Sequence, residues 1–298
     1  MIAIPKYTFT DVKLIEKGVS DDKKYRVRIA DGCVMLLRLS DISNYKRKKT
    51  MFDYMKRVAA LGIPMSRPID FGISCDGKDV FQLLSWCNGD TAEVILPTLS
   101  EAEQYKIGLK AGKILQTIQS IPSPDNLPPW YDRFFGVQEE RVKGFSTCGV
   151  EIKGSDMLFS YYEHNKHLLR SRPQTFTHGD YHLENLLIGN DLEISVVDWD
   201  LFDDNIYGDP WNEFGRILNA TVFPHYTTGL LRGYFDGEPP EEFWPILKFY
   251  LSIGALLLVT WAAYISPRHL DESKQAASDV IQWYDSMRTI VPSWYLEN

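Results

Sequence analysis

The alternation of apolar and polar positions divides the chain into two parts. "YRVRIA" and "CVMLLRL" read as strands flanking Asp31-Gly32, a pair that favours a hairpin because the glycine accepts positive φ. A second hairpin is predicted where "RPIDFGI" and "VFQLLSW" flank Cys75-Asp76-Gly77-Lys78. Between them, from about residue 43 to 61, Tyr45, Phe52, Met55 and Ala59 recur at helical spacing, and Gly62 is placed to end the helix. After "SWCNGD" the period changes. Ser100 and Glu103 form a capping-box pattern, and Ile107, Ala111, Ile114, Leu115 and Ile118 mark one face of a helix reaching about Gln119. Residues 122 to 150, with Pro122, Pro124, Pro128 and Pro129, read as an irregular connection, and helical patterns return at about 155–170, 211–220, 241–265 and 273–289. In this second part the runs "LLI" and "EISVV" are the expected strands.

The pattern therefore predicts an α+β chain of two lobes. Residues 1–85 form a small antiparallel sheet with one helix, 86–89 a linker, and 90–298 a larger, mostly helical lobe. Composition supports a packed core, since 44% of the 298 residues are hydrophobic and 24% charged. The formal charge of −8 argues against a nucleic-acid partner, which clustered Lys and Arg would grip, and mildly favours a cationic small molecule. Cys33, Cys75, Cys87 and Cys148 lack C-x-x-C spacing, so neither a disulfide framework nor a zinc knuckle is expected, and a reducing cytoplasm fits. The N-terminal "MIAIPKYTFTDVK" has no secretory pattern. The apolar stretch Phe249 to Ile265 falls short of the ~20 residues of a spanning helix and is expected to be a buried core helix, with no membrane partner.

The chemistry concentrates in "FTHGDYHLENLLIGNDLEISVVDWD", residues 176 to 200. If Leu186–Ile188 and Ile194–Val197 pair through a loop at 190–193, Gly189 faces Ile194, Leu186 faces Val197, and one step further Asn185 faces Asp198. Opposed residues have Cβ atoms roughly 5 Å apart, so two hard oxygen donors would suit one magnesium ion shared with substrate phosphates. Asp180, in the segment leading into the hairpin, would then accept a hydroxyl proton. The spacing H-G-D-x-x-x-x-N over His178 to Asn185 parallels the protein-kinase catalytic loop H-R-D-x-x-x-x-N, and Asp198-Trp199-Asp200 falls where kinases carry D-F-G.

"HGDYHLEN", then "VVDWD", then "GDPWNEF" resemble the aminoglycoside phosphotransferase and choline kinase family, a branch of the protein-kinase-like fold. The resemblance spans nearly the whole chain. It implies a kinase moving the γ-phosphoryl of ATP or GTP to a hydroxyl of a small molecule, with Asp180 as the base, Asn185 and Asp198 as magnesium ligands, and His178 orienting the catalytic segment by hydrogen bonding. Arg38 in "VMLLRLSD" takes the place of the strand lysine that contacts the α- and β-phosphates. Gly18 and Ser20 fall in the turn over the phosphates, and Ser85 and Cys87 in the linker, where backbone groups hold adenine. Asp209 is assigned to structure. One departure stands out: Arg38 should pair with a carboxylate on the following helix, yet Met51 stands where a glutamate is expected, and Asp53 is the nearest substitute.

Asp200, Asp203 and Glu213 are candidate contacts for a cationic acceptor, against the plainer reading that they belong to a solvated loop and helix start. His182 is expected to hydrogen-bond locally. Two other classes stand beside the kinase. One is a metal-dependent hydrolase using His178, Asp180 and His182. The other is a pseudokinase that binds nucleotide as an interaction module.

Overall fold

Both predicted hairpins form. In the computed structural model, which describes residues 3–16, 22–199, 206–217 and 222–297, the chain begins with β1 (Phe9–Ile15), β2 (Lys23–Ile29) and β3 (Val34–Asp41). There follow α1 (Tyr45–Ala59), β4 (Pro68–Ile73), β5 (Asp79–Ser85), β6 (Asp90–Thr91) and the short α2 (Ala92–Ile95). Next come α3 (Glu101–Ile118), α4 (Trp130–Thr147), α5 (Ser155–Asn165), β7 (Thr175–Phe176), β8 (Leu186–Ile188), β9 (Ile194–Val196) and β10 (Tyr207–Gly208). The chain ends with α6 (Pro224–Phe235), α7 (Phe243–Tyr264) and α8 (Leu270–Trp283). Gly32 turns the first hairpin at φ +91°, a conformation that costs glycine little.

The chain separates into two compact units that are interleaved along the sequence: Met1–Ile95 with Leu183–Asp204, and Leu96–His182 with Asn205–Asn298. The sequence division at residues 86–89 assigns the β8–β9 hairpin to the second lobe. By its contacts the hairpin belongs to the first unit, because β6 pairs with β8 and the backbone of Val196 bonds to Pro64 and Ser66.

In the first unit the five strands run β1-β2-β3-β5-β4, all antiparallel. Alternation gives β3 and β5 two different faces. Leu37, Leu39, Phe81 and Leu83 join Val27 and Ile4 in an apolar cluster. Arg38, Ser40 and Gln82, equally buried, carry polar groups on the opposite face. Helix α1 buries Met51, Phe52, Met55 and Val58, and among them a lysine, Lys48, at 0% exposure.

In the second unit the capping box forms as expected. Ser100 accepts from the Glu103 amide, and the Glu103 carboxylate accepts from the Ser100 amide. The region 122–150 is not an irregular connection throughout, since α4 occupies Trp130–Thr147. Its prolines stop just before the helix, at the N-terminal edge where proline is tolerated. Trp130, Phe134 and Phe135 pack against Phe249 and Tyr250 of α7. Helix α6 is absent from the sequence expectation. It packs on α3 through glycines at four-residue spacing on both helices: a Cβ on Gly112 would lie 2.1 Å from the Leu230 carbonyl oxygen, and one on Gly233 would lie 2.2 Å from that of Leu109. Helix α7 is 22 residues, long and apolar enough to cross a membrane, yet 67% of its apolar window is buried inside the protein.

Candidate active site

The hairpin register differs from the expected one. Leu186 faces Val196 and Ile188 faces Ile194, Gly189 and Glu193 close the loop by a 3.0 Å bond, and Leu192 sits at φ 54°. A left-handed residue ending a short loop is a common hairpin closure, and it shifts the pairing by one. The Val197 amide therefore donates to the Asn185 carbonyl at 3.0 Å, so Asn185 faces Val197 and not Asp198. At Asp198 the chain turns, with φ at 59°, a left-handed conformation that aspartate tolerates better than most residues.

The Asp198 carboxylate accepts from Arg38 Nη1 at 2.9 Å and from Lys24 Nζ at 3.3 Å. Its side chain is 38% exposed. Desolvation works to raise its pKa, but the charges of Arg38 and Lys24 outweigh it and hold the carboxyl below the usual range. Arg38 is only 4% exposed. Its Nε and Nη2 donate to Asp22 Oδ2 at 3.2 and 2.8 Å. Asp53 is not its partner: that side chain is half-exposed and pairs with Lys49 and Lys56 on its own helix. Met51 is buried. Ser85 closes β5, and its amide donates to the Arg67 carbonyl at 2.8 Å, so this N–H is engaged within the sheet and is not offered to adenine. Burial pushes the Cys87 thiol up, which keeps it protonated.

In the second unit, Asp180 lies between an arginine and a histidine. Arg216 Nη1 is 3.0 Å from Oδ1 and His182 Nε2 is 3.2 Å from Oδ2. Burial acts to raise its pKa, but the His182 hydrogen bond and the Arg216 charge, with the neighbouring histidines, outweigh it and leave it well below the usual carboxylate range. The Asp180 amide donates to Nδ1 of the fully buried His178 at 3.3 Å. Glu213, a candidate substrate contact from sequence, is instead a buried residue at 4% exposure. The helical turn of Pro210–Arg216 is capped by Asp209, which accepts from the Trp211 amide, and this turn directs Glu213 inward. Its Oε1 accepts from the Gly179 amide at 2.6 Å. Desolvation raises it to about 7, with the Asp180 charge acting in the same direction. Asp209 is itself fully buried, clasped by Arg172 at 2.8 and 2.9 Å and by the Tyr250 hydroxyl at 2.7 Å.

Of the candidates, Gly18, Ser20, Asp200 and Asp203 lie outside the described residues. Asp22, Lys24, Lys48 and Arg216 were not anticipated. Lys48 was readable, because it falls one helical turn before Met51 and Phe52 on the apolar stripe of α1. Asp22 was also readable once the first hairpin is registered, since β2 pairs Lys24 with Arg38 and the next residue on that face meets Ser40. His178, Asp180 and His182 are not arranged as a metal-ligand set: His182 is paired with Asp180, and His178 is fully buried with its Nδ1 on the Asp180 amide. No group of three or more His, Cys, Asp or Glu among the described residues is arranged to hold a metal. Asn185 and Asp198 offer only oxygen donors, the set that suits magnesium, and Asp198 is held ionised.

A family model described as "Phosphotransferase enzyme family" matches residues 11–244. The chain is 22% identical over 262 residues to acyl-CoA dehydrogenase family member 10 of Mus musculus, covering 81% of this chain and 24% of that protein. It thus spans about a quarter of that relative's length. An aminoglycoside phosphotransferase in ternary complex with ADP and hygromycin B superposes with a TM-score of 0.66 at 15% identity, over 92% of this chain and 94% of the other. An amicoumacin kinase in complex with AMP-PNP and Ca2+ gives 0.61 at 15% identity, over 98% and 91%. At these identities the likeness concerns the fold, which is protein-kinase-like: an antiparallel sheet region followed by a mostly helical part.

Proposed function

Because this chain belongs to the phosphotransferase enzyme family, we propose that it is a phosphotransferase acting on hydroxyl groups, a small-molecule kinase moving the γ-phosphoryl of ATP or GTP to a small, cationic acceptor. What supports this most is Asp180, a carboxylate in the H-G-D segment held below the usual range by the His182 hydrogen bond and the Arg216 charge. So acidic a carboxylate is a weak base. It orients the acceptor hydroxyl first and takes its proton late, as suits a loose transition state in which the phosphoryl has largely left its donor. His178 and Glu213 hold the Asp180 and Gly179 amides and so fix the backbone that aims this carboxylate.

Arg38 would bind the nucleotide phosphates. Asn185 and Asp198 would hold a magnesium ion, which when bound neutralises charge on the phosphates. The net charge of −8 is consistent with a cationic acceptor. A nucleotide-consumption screen with magnesium across aminoglycosides, choline, fructosamines, homoserine and methylthioribose tests the reading, and acceptor-independent consumption throughout would count against it. Asp180→Asn, which keeps shape and removes charge, is expected to bind nucleotide normally and to lose two or more orders of magnitude in turnover. Near-normal turnover would reject Asp180 as the catalytic carboxylate.

A further inference from the structure

The carboxylate that Arg38 lacks on α1 is supplied by the sheet. Asp22 immediately precedes β2, and continuing the pairing of Lys23 with Leu39 by one residue carries it opposite Ser40, whose hydroxyl donates to Oδ1 at 2.5 Å. Its other oxygen receives Arg38 Nε and Nη2, and Lys48 Nζ of α1 at 2.5 Å. The Asp22 side chain is 6% exposed and that of Lys48 0%. Relative to the pattern the resemblance implies, the cation stays on the strand as Arg38, the carboxylate moves from the helix to the sheet edge as Asp22, and the helix adds a second cation, Lys48.

An arginine explains the exchange. Its guanidinium is a planar fork that a carboxylate lying in the sheet can hold along one edge. With Nε and Nη2 on Asp22, Nη1 is aimed at Asp198. A flexible ammonium held at one point would not be so oriented. Burial disfavours the Asp22 charge, but Lys48, Ser40 and Arg38 outweigh it. Among the described residues, Arg38, Lys48 and Lys24 pair with this carboxylate and with Asp198. Lys48 is too deeply buried to reach a ligand. Its effect is to make an ionised Asp22 tolerable under α1, since a buried charge without a partner is costly.

We propose that Asp22 is a positioning residue for nucleotide binding, orienting the Arg38 guanidinium toward the phosphates in place of a helix carboxylate, with Lys48 as its buried counter-charge. This rests on the kinase reading above. The test compares the full chain with Asp22→Asn, Lys48→Met and the double variant, by calorimetric titration with magnesium and ATP and by thermal unfolding without nucleotide. Asp22→Asn is expected to lower the Tm and weaken ATP binding at least tenfold. Lys48→Met, which leaves Asp22 on Arg38, is expected to stay within about threefold of the wild-type affinity. The double variant removes the buried ammonium together with the Asp22 charge, so it should regain the Tm without regaining affinity. Wild-type affinity in the double variant, or equal loss in Lys48→Met and Asp22→Asn, would reduce Asp22 to a structural role and overturn the proposal. Failure of the wild-type chain to bind ATP would instead overturn the kinase reading.

Discussion

Glu213 meets the Gly179 amide with one oxygen, while among the described residues the other has no hydrogen-bond partner. Its pKa is lifted from 4.5 to about 7, chiefly by desolvation. Between those values the folded chain retains a proton that the unfolded chain has released, so this group makes stability fall as pH rises through the window and leaves it flat above. The width of the window corresponds to at most roughly 3 kcal/mol. Glu213→Gln keeps an acceptor for Gly179 and has no such slope. Urea unfolding from about pH 5 to pH 8 should therefore show the variant gaining on the wild type by up to that amount, and parallel curves would refute the assignment. Asp180 and His178 stand out as candidates at this scale because a motif of fixed spacing marks them in the sequence. The buried state of Glu213 was not, because an acidic residue near a helix start reads as solvated until the Asp209 cap is seen to turn it inward.

Helix α6 shows why some elements escape a reading of periodicity. Gly229 and Gly233 lower its intrinsic helix propensity by about 1 kcal/mol each relative to alanine. They are nevertheless what lets its backbone meet that of α3, where Gly108 and Gly112 make the same allowance. On propensity alone Gly112→Ala should stabilise α3. The new Cβ would lie 2.1 Å from the Leu230 carbonyl oxygen, and overpacking of this kind costs about 1–3 kcal/mol or more. A lowered Tm is expected, and a raised one would refute the close crossing. The hairpin makes a parallel point. Its two strands were legible from "LLI" and "EISVV", but the left-handed Leu192 fixes a register one residue away from that inferred, which separates Asn185 from a position opposite Asp198.

For the molecule as a whole, the interleaving of the two units makes the first one depend on a distant piece of chain. β8 is the partner of β6, and Val196 bonds to Pro64 and Ser66. A chain ending at Ile95 would leave these groups unpaired. It is expected to unfold without a cooperative transition by circular dichroism, whereas the same chain joined to residues 183–199 through a flexible linker should regain one. Equal cooperativity in the two would show that the hairpin contributes nothing to that unit. By itself, the sequence determined the hairpins of the first sheet, α1, the capped α3 and the H-G-D segment, because turns, caps and motif spacings act over a few residues. Only the tertiary structure decided that Asp22 serves Arg38, that Glu213 is buried, that α6 exists and where the β8–β9 hairpin belongs. Those outcomes depend on backbone approach and on the pairing of buried charges between segments far apart in the chain.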